Sequence, residues 1–462
     1  MLSLANYDFQ AHIHLFKWQE HNLLLDVNSG AIHVLDDASC KFISKLMQVK
    51  GDFDVARECL AQEIPALELD EIIAEVSAAI QAGALFTPAE FWTVDLSAMQ
   101  VKALCLNVAH ACNMKCSYCF ASQGDFGMDA CLMSLETACQ ALDFLMEKSG
   151  AVKNLEVDFF GGEPLLAAPM LKDLVQYGRK LEKQYNKKIN FTLTTNALLL
   201  NDEIIQFILD EKLGVILSLD GRPETNDRHR VLRDGSGSYD IIVPKIKNMV
   251  DKQPVSYYVR GTFSRKNLDF TRDLQHLVEL GFKSISLEPA VGPDNGFSIQ
   301  EEDLPAVLQE YENLTGLLYN YQLSGKPVDF FHYNLDLQKG PCLAKRISGC
   351  GAGVEYLVVT PSGDIYPCHQ FVGEAGFLMG NVFTGLLDEE IRLNFSGNHL
   401  GNKKECRNCW ARYFCGGGCH ANAYHSNNDI SIPSKVSCMM HRKRIEGAIY
   451  LEAMQKTEAS FL

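Results

Sequence analysis

Residues 101 to 330 alternate short strand-like runs with helical patterns, and this alternation limits the possible folds more than any other feature. Six apolar runs indicate strands: ALCLNVA, LEVDFF, INFTLTT, GVILSLD, SYYVRGTF and KSISLEP. Strands that alternate with helices predict βα units and a parallel sheet. Since a closed barrel needs eight such units, we expect an α/β fold built on a partial (β/α)6 TIM-like barrel.

Polar and glycine residues follow each of these predicted strands. The second strand runs into GGEP, the fourth into SLDG, and the sixth contains Glu288. Ligands of parallel α/β folds bind at the C-terminal ends of the strands, so these residues are predicted to line one active site. Asp158, Asp220 and Glu288 are candidate acid–base groups there. Each is also explained as a structural carboxylate at a strand end, and the sequence assigns the catalytic role to none of them.

Three cysteines follow the first strand at uneven spacing, as Cys112-x3-Cys116-x2-Cys119. Three thiolates on a four-iron cluster leave one iron without a protein ligand, and an open metal position is typical of a catalytic site. The GGE sequence suits a small chelating molecule, because glycines allow close backbone approach and a carboxylate pairs with an ammonium group. Zinc with His110 as a fourth ligand is the alternative, although a single residue separates His110 from Cys112.

Eight further cysteines form a second group: Cys342, Cys350, Cys368, Cys406, Cys409, Cys415, Cys419 and Cys438. Eight thiolates supply two four-coordinate sites, and zinc and iron–sulfur clusters both accept four thiolates, so spacing leaves both open. The remaining five of the sixteen cysteines lie among apolar neighbours and are predicted to be core residues.

Residues 1 to 95 are predicted to form a separate unit. NLLLDV and AIHVLD, on either side of NSG, indicate two short strands around a turn, and the apolar spacing from Leu69 to Ile80 predicts a helix. This combination predicts a winged-helix-like module. Such modules often bind DNA, but acidic residues far outnumber basic ones here and the chain carries a net charge of −16, so no nucleic-acid partner is expected.

No feature of the chain indicates export or membrane insertion. The N-terminus lacks a basic region followed by a long apolar run, and no uninterrupted apolar stretch of about 18 or more residues occurs. We therefore expect a cytoplasmic location and no membrane partner. Because the cytosol keeps thiols reduced, the many cysteines indicate metal or cluster ligation rather than disulfides.

The CxxxCxxC spacing, the aromatic Tyr118 within it and the GGEP sequence about forty residues later resemble the radical S-adenosylmethionine (SAM) superfamily. The resemblance covers roughly residues 100–330 and implies a [4Fe-4S] cluster on Cys112, Cys116 and Cys119, with SAM chelating the open iron through its amine and carboxylate. It places the cofactor against Tyr118, Gly161, Gly162 and Glu163, with the SAM amine contacting Glu163. Ser218 and Arg230 are the candidates for holding the SAM carboxylate.

The cysteine-rich segment resembles the SPASM extension of that superfamily, since PSGDIYPC places a glycine before Cys368 and the later cysteines follow in order. The extension carries two auxiliary [4Fe-4S] clusters, which makes three clusters in all. The family's ligand order assigns Cys350, Cys368 and Cys419 to auxiliary cluster I. Either Cys342 is the fourth ligand, or it is not a ligand and one iron stays open to bind the substrate thiolate. It assigns auxiliary cluster II to Cys406, Cys409, Cys415 and Cys438.

The first segment resembles the leader-peptide recognition domain of enzymes that modify ribosomally made peptides. HNLLLDVNSGAIHVLDD, CSYCFASQGDFG and SGCGAGVEYLVVTPSGDIYPCHQFVG together resemble the maturases of SCIFF peptides, which are cysteine-rich precursors. The implied domains are leader-peptide recognition at 1–95, the radical SAM partial barrel at 100–335 and SPASM at 340–445.

The implied reaction joins a cysteine sulfur to a backbone α-carbon of a precursor peptide with a leader, after a SAM-derived radical removes the α-hydrogen. An external one-electron reductant is required, and the catalytic base is unassigned. The alternatives within the family are peptide epimerisation, carbon–carbon cross-linking and formylglycine formation. A zinc-bound scaffold or a non-catalytic iron–sulfur electron carrier is the alternative outside it.

Overall fold

A computed structural model describes residues 4–89, 95–292, 295–335 and 347–459. Within these ranges the strands form a three-stranded sheet near the N-terminus and an eleven-stranded sheet in the rest of the chain. Cys342 and part of the segment between the first two predicted domains lie outside the described residues.

Residues 4–89, called here the N-terminal module, combine an antiparallel sheet with helices. The two predicted strands are present and pair as a hairpin, while a further strand before them pairs with the first and was not predicted. The apolar residues of the predicted helix, among them Leu69, Ile72 and Val76, face the core of the module. Its elements are α1 (Phe9–His12), β1 (Ile13–Trp18), β2 (His21–Asp26), β3 (Ile32–Leu35), α2 (Asp37–Gln48), α3 (Phe53–Leu60) and α4 (Ala66–Gln81).

The six strands predicted for the barrel are all present and parallel, and a short seventh strand extends them. Helices separate them along the chain, as the alternation predicts. The elements are β4 (Ala103–Ala109), α5 (Leu135–Lys148), β5 (Asn154–Gly161), α6 (Ala168–Tyr185), β6 (Lys188–Thr195), α7 (Asp202–Asp210), β7 (Gly214–Ser218), α8 (Pro223–His229), α9 (Tyr239–Asp251), β8 (Tyr257–Phe263), α10 (Phe270–Glu279), β9 (Ser284–Pro289), α11 (Leu304–Leu323) and β10 (Asp329–Phe330).

Local sequence explains how these elements begin and end. Ser134 precedes α5, and its hydroxyl accepts a hydrogen bond from Thr137 N at 3.0 Å, so it caps the helix as predicted. Gly150 follows the same helix with a φ of 44°, a backbone region that favours glycine after a helix. Every residue of β4 is buried, because this strand has a neighbouring strand on both sides and lies in the middle of the sheet.

The cysteine-rich region continues the barrel sheet. β11 pairs in parallel with β4, and three more strands follow it in antiparallel order, so this part of the chain has its own strand pairing as well as its cysteines. A long helix at the end packs against α11. The elements are β11 (Tyr356–Val359), β12 (Asp364–Tyr366), β13 (Gly380–Asn381), β14 (Leu386–Leu387), α12 (Glu389–Gly397), α13 (Lys404–Arg407), α14 (Arg412–Cys415), α15 (His420–Asn427) and α16 (Lys435–Ala459).

The N-terminal module packs directly on the cysteine-rich region. The imidazole of His14 stacks on Trp410 with ring centroids 3.6 Å apart. The buried guanidinium of Arg412 donates to Ala11 O at 2.7 Å, to Asn28 Oδ1 at 2.8 Å and to His12 Nδ1 at 3.0 Å. An apolar cluster beside these contacts joins Leu25 and Val27 to Ala411, Phe414, Ile445 and Ile449.

None of the helices in the described ranges combines the length and the apolar character needed to cross a membrane.

Candidate active site

The three cysteines of the CxxxCxxC sequence occupy the loop that follows β4. Their thiols lie close enough to interact electrostatically with one another. Met114 N donates to Cys112 Sγ at 3.4 Å, and the side-chain amide of Asn196 donates to the same sulfur at 3.7 Å. Burial raises the pKa of Cys116 to about 12, which favours the protonated thiol in the absence of a metal.

The segment between α8 and α9 holds this cysteine loop in place. Lys115 N donates to Val231 O at 2.9 Å, and Ser117 N donates to His229 O at 3.1 Å. The guanidinium of Arg233 donates through Nε to Cys112 O at 3.0 Å. Residues that follow the fourth predicted strand therefore fix the cysteine loop, which follows the first predicted strand.

The two glycines of GGE bring the end of β5 against the cysteine loop. Gly162 N donates to Ala109 O at 2.8 Å and Glu163 N to Ala111 O at 2.9 Å. A Cβ atom on Gly162 would lie 2.1 Å from Ala111 O, and one on Gly124 would lie 2.7 Å from the Cys112 Cβ. Only glycine fits at these positions. The glycines of GGE were predicted to let the backbone approach a small chelating molecule, whereas the close contact in the structure is with the backbone of the cysteine loop.

Glu163 is fully buried and has three protein donors. Its Oε1 accepts from Thr195 Oγ1 at 2.8 Å and from Leu165 N at 3.0 Å, and its Oε2 accepts from Asn196 N at 2.8 Å. Burial raises its pKa to about 7, although these hydrogen bonds act in the opposite direction. The carboxylate thus ties the GGE turn to the end of β6. This structural role was not predicted, and the predicted contact with the SAM amine remains untested.

Asp220 is the centre of a buried polar group beside the cysteine loop. Tyr118 Oη donates to Asp220 Oδ2 at 2.5 Å, while Arg230 Nε and Thr262 N donate to Oδ1 at 2.9 and 3.0 Å. The Arg230 guanidinium lies 5.7 Å from the centre of the Tyr118 ring and acts on the Cys116 thiol. The structure therefore brings two predicted SAM-binding residues together through a carboxylate.

The sequence feature that pointed to the Asp220 group is the position of Asp220 in SLDG, at the end of a predicted strand. Ser218, the other residue predicted to bind the SAM carboxylate, is the last residue of β7 and lies two positions before Asp220. It therefore lies at the same edge of the sheet as the Tyr118 group.

The cysteines assigned to auxiliary cluster I come together across the cysteine-rich region. The Cys368 thiol interacts electrostatically with Cys350 and Cys419, and burial raises its pKa well above the usual value. Cys350 and Cys419 themselves retain exposed surface. Three thiols of this set are therefore adjacent, as the family's ligand order predicts. The fourth predicted member, Cys342, lies outside the described residues.

The cysteines assigned to auxiliary cluster II surround a cavity of about 510 Å³. Cys406, Cys409, Cys415 and Cys438 all line it, and the Arg442 guanidinium interacts with Cys409. The buried ammonium of Lys403 lies near the same thiols and donates to Gly417 O at 3.0 Å. Two cations beside four thiols suit a metal cluster whose thiolate ligands give it a net negative charge.

The described thiols do not form a preformed site for a single metal ion. Within the described ranges, no three His, Cys, Asp or Glu side chains are placed to hold one ion. The four thiols assigned to auxiliary cluster II line one cavity, which has room for a cluster in which each thiolate binds a different iron. Such all-thiolate sets accept both an iron–sulfur cluster and zinc.

Aromatic side chains join the SAM-side loop to the auxiliary region. Phe120 follows Cys119, and His369 follows Cys368, and their ring centroids are 5.2 Å apart. Phe160 stacks on His369 with centroids 5.0 Å apart. Phe120 nevertheless exposes 52% of its surface. The two cysteine sets therefore share one aromatic wall with accessible surface.

Family models match the two regions that contain these cysteines. Residues 106–266 match the Radical SAM superfamily, and residues 350–410 match the iron–sulfur cluster-binding domain named SPASM. The first match covers the cysteine loop, the GGE turn and the Asp220 group.

Curated relatives match across most of the chain. An uncharacterized protein of Methanocaldococcus jannaschii is 28% identical over 319 residues, which are 68% of this chain and 96% of the relative. The cysteine-type anaerobic sulfatase-maturating enzyme of Clostridium novyi is 24% identical over 67% of this chain and 85% of its own length. The radical SAM cyclopropyl synthase TigE of Paramaledivibacter caminithermalis is 23% identical over 76% and 75%, respectively.

Solved structures share the fold. Native anSMEcpe with bound AdoMet superposes with a TM-score of 0.64 at 22% identity, covering 76% of this chain and 98% of that one. Streptococcus suis SuiB bound to precursor peptide SuiA superposes with a TM-score of 0.53 at 14% identity, covering 92% and 98%. The SuiB structure covers 92% of this chain and the anSMEcpe structure 76%, so the fold shared with SuiB includes more of the chain.

Proposed function

Because the chain belongs to the radical SAM superfamily and carries a SPASM domain, we propose that it modifies a ribosomally made peptide. The proposed product is a thioether between a cysteine sulfur and a backbone α-carbon of a cysteine-rich precursor with a leader. Relatives named sulfatase-maturating enzyme and cyclopropyl synthase, and a neighbour bound to a precursor peptide, support a peptide or protein substrate. The thioether is our specific proposal.

The observation that carries this proposal is the position of two cysteine sets beside the same aromatic wall. One set has three thiols next to the GGE turn, and the other has three thiols, two of which retain exposed surface. A substrate cysteine placed at the second set is then close to a peptide α-carbon placed at the first. A thioether joins those two groups.

Three [4Fe-4S] clusters and SAM would occupy the sites described above. Cys112, Cys116 and Cys119 would hold the SAM-binding cluster, the set containing Cys368 would hold auxiliary cluster I, and the set containing Cys415 would hold auxiliary cluster II. When bound, these cofactors supply the radical that removes the α-hydrogen and accept the electron released as the bond forms. An external donor supplies the starting electron, and a cytoplasmic location, with its reduced thiols, is consistent with this chemistry.

The protein's own residues would position the cofactor and substrate and restrict access to water. The hydrogen bonds of Glu163 fix the turn that approaches the cysteine loop. Arg230, held by Asp220, supplies a fixed positive charge for the SAM carboxylate. Phe120 and Phe160 form an apolar wall for the peptide.

The N-terminal module would bind the leader. In the described residues β1 and β3 each pair with β2 alone, so each has one edge on which an extended peptide could add a strand. Main-chain hydrogen bonds supply much of the affinity in this mode, which suits an acidic module without a basic patch. The contact of Arg412 with Ala11 and Asn28 would hold the module, and with it a bound leader, against the cysteine-rich region.

The test is anaerobic reaction of the iron-loaded protein with SAM, a strong reductant and a cysteine-rich precursor peptide. We expect the peptide to lose two hydrogens per linkage and the linked cysteines to resist alkylation. Tandem mass spectrometry would locate each sulfur-to-α-carbon bond. An unchanged mass with an exchanged α-hydrogen would instead indicate epimerisation, and loss of two hydrogens with alkylatable cysteines would indicate a carbon–carbon cross-link.

A cysteine variant tests whether the protein is a SAM-cleaving enzyme or a non-catalytic electron carrier. Cys116→Ala should abolish SAM cleavage while iron remains in the auxiliary sites, because the three sets use different cysteines. Cys139→Ala, on α5 and outside all three sets, is the matched control and should cleave SAM normally. A wild-type protein that contains iron and sulfide but leaves SAM uncleaved would support a non-catalytic electron carrier. A colourless zinc protein would contradict the proposal.

A further inference from the structure

Glu288 differs from the other two carboxylates at the strand ends. Asp220 accepts hydrogen bonds from Tyr118, Arg230 and Thr262. Asp158 accepts a hydrogen bond from Thr192, and burial raises its pKa. The Glu288 side chain keeps 31% of its surface exposed, although protein surrounds it on most sides. The Glu288 carboxylate is therefore set within the fold but is still accessible to solvent.

The position of Glu288 links the two halves of the active site. It pairs in register with Thr262, whose backbone N–H donates to Asp220 in the group beside the cysteine loop. Its charge also acts on the thiol of Cys419, a member of the auxiliary set. Glu288 therefore lies between the predicted SAM site and the cysteines proposed to receive the substrate sulfur.

Arginine and histidine side chains orient the Glu288 carboxylate from one side. Arg260 Nη2 lies 3.4 Å and His332 Nε2 3.5 Å from the same oxygen, Oε1. Arg444 Nη1 donates to His332 Nδ1 at 3.0 Å, and since arginine only donates, the His332 proton must be on Nε2. That proton points towards Glu288 Oε1 and Ser286 Oγ, the latter 3.2 Å away.

We propose that Glu288 accepts the proton of the substrate thiol through Oε2, and that Arg260 and His332 are positioning residues which hold Oε1. The assignment rests on the proposed function and adds its missing proton acceptor. In this step the S–H bond of the substrate cysteine breaks, its electron pair stays on sulfur, and the proton forms an O–H bond with Glu288. A neutral thiol and a carboxylate become a thiolate and a carboxylic acid, so atoms and charge balance.

The surroundings keep Glu288 ionised, which is the form that can accept a proton. Burial alone would raise its pKa, but His332, Arg260, Arg444 and His441 together hold the pKa below its usual range. Arg444 also donates to His441 Nδ1 at 2.9 Å, so α16 supplies both an arginine and a neutral histidine to this side of the site. Tyr311 is packed against the same groups, and the Cys419 thiol faces them from the auxiliary set.

The first test compares Glu288→Gln with Glu156→Gln in the iron-loaded enzyme. Glu156 lies on β5 and is an exposed carboxylate that accepts a hydrogen bond from Asn190, so it is the matched control. We expect thioether formation by Glu288→Gln to fall at least about 100-fold, far more than its SAM cleavage without peptide or its peptide binding, whereas Glu156→Gln should leave all three unchanged. Peptide binding by fluorescence anisotropy gives a readout that does not depend on turnover.

A second pair of variants tests the positioning role of His332. In His332→Gln the amide can donate to Glu288 and accept from Arg444, whereas His332→Leu can do neither. We expect Gln to retain most thioether formation and Leu to lose it, with equal iron content in both. A role in packing alone would give the opposite order or equal losses.

Each outcome decides the assignment. Wild-type rates of thioether formation in Glu288→Gln would overturn it, and so would parallel losses of SAM cleavage or of peptide binding. Glu288→Asp, which keeps a carboxylate, should recover part of the rate and separates loss of the base from misfolding. If the wild type cleaves SAM but links no cysteine peptide, the proposed function itself fails, and the assignment fails with it.

Discussion

At the scale of single residues, the glycines of the GGE turn show how far a motif can be interpreted from sequence alone. They were predicted to let the backbone approach a small chelating molecule, whereas the short contacts of Gly162 are with the backbone of the cysteine loop. The sequence predicted only part of the role of Glu163. Its hydrogen bonds to Thr195 and Asn196 depend on where β6 ends beside β5, which a single motif does not encode.

The closeness of Gly162 to Ala111 gives a sharp prediction. Gly162→Ala places a methyl group 2.1 Å from the Ala111 carbonyl oxygen, so the turn and the cysteine loop must separate. We expect the free energy of unfolding to fall by about 1–3 kcal/mol and SAM cleavage to fall more than tenfold. Denaturant titration and a deoxyadenosine assay measure the two effects.

The control for this prediction is Gly376→Ala, because a Cβ there meets no heavy atom within 4 Å. It should leave both measurements unchanged. If Gly162→Ala behaves like this control, close approach is not the reason for the glycine.

At the scale of elements, the prediction succeeded where the pattern is local. Each of the six barrel strands is an apolar run bounded by a polar or glycine-rich end, and all six are present. β1 and β11 were missed for different reasons. IHLFKW in β1 mixes polar and apolar residues without a clear period, and YLVV in β11 is short and pairs with β4, far away in the sequence.

The loop between Cys409 and Cys415 shows a second limit of sequence reasoning. Its CWARYFC sequence predicted metal ligands, but Trp410 and Arg412 also hold the N-terminal module. No local pattern links Arg412 to Ala11, because the contact depends on the packing of two regions at opposite ends of the chain. The same short element therefore has two roles.

Arg412→Ala should loosen the N-terminal module. The substitution removes three hydrogen bonds to the module and one to Cys409 O, and it leaves the oxygens of Ala11 and Asn28 without this donor, at a cost of about 3 kcal/mol. We expect faster hydrogen exchange in residues 11–28 and less peptide modification, with SAM cleavage in the absence of peptide unchanged.

Arg272→Ala, which removes an exposed arginine on α10, is the control for this prediction. Iron content must be equal in all proteins, so that loss of auxiliary cluster II is excluded as a cause. Unchanged exchange in Arg412→Ala would show that the module is held by other contacts.

At the scale of the whole molecule, α16 connects the regions that the sequence had divided into domains. It provides Cys438 to one cysteine set, Arg444 to the Glu288 group and Glu446 to His14 of the N-terminal module, at 2.9 Å. It also packs along α11 of the barrel. The three-domain division remains a prediction, and this helix contacts residues of all three predicted domains.

Deletion of residues 1–89 is expected to separate the two proposed activities. SAM cleavage without peptide should persist, because the cysteine loop and the GGE turn lie in the barrel, whereas peptide modification should fall at least tenfold. The deletion also uncovers Phe414, Ile445 and Ile449, so the shortened protein should self-associate more. Light scattering and mass spectrometry measure the two effects, and undiminished modification would contradict leader binding by this module.

The position of β4 has a consequence for how the protein is made. This strand, buried along its whole length, has β5 on one side and β11 on the other. A ribosome releases β5 soon after β4 but synthesises β11 only after the rest of the barrel. Until then, the edge of β4 is open to pairing with other chains. The barrel of this protein is therefore completed late in translation, and protection of that edge by chaperones would matter most while the cysteine-rich region is still being synthesised.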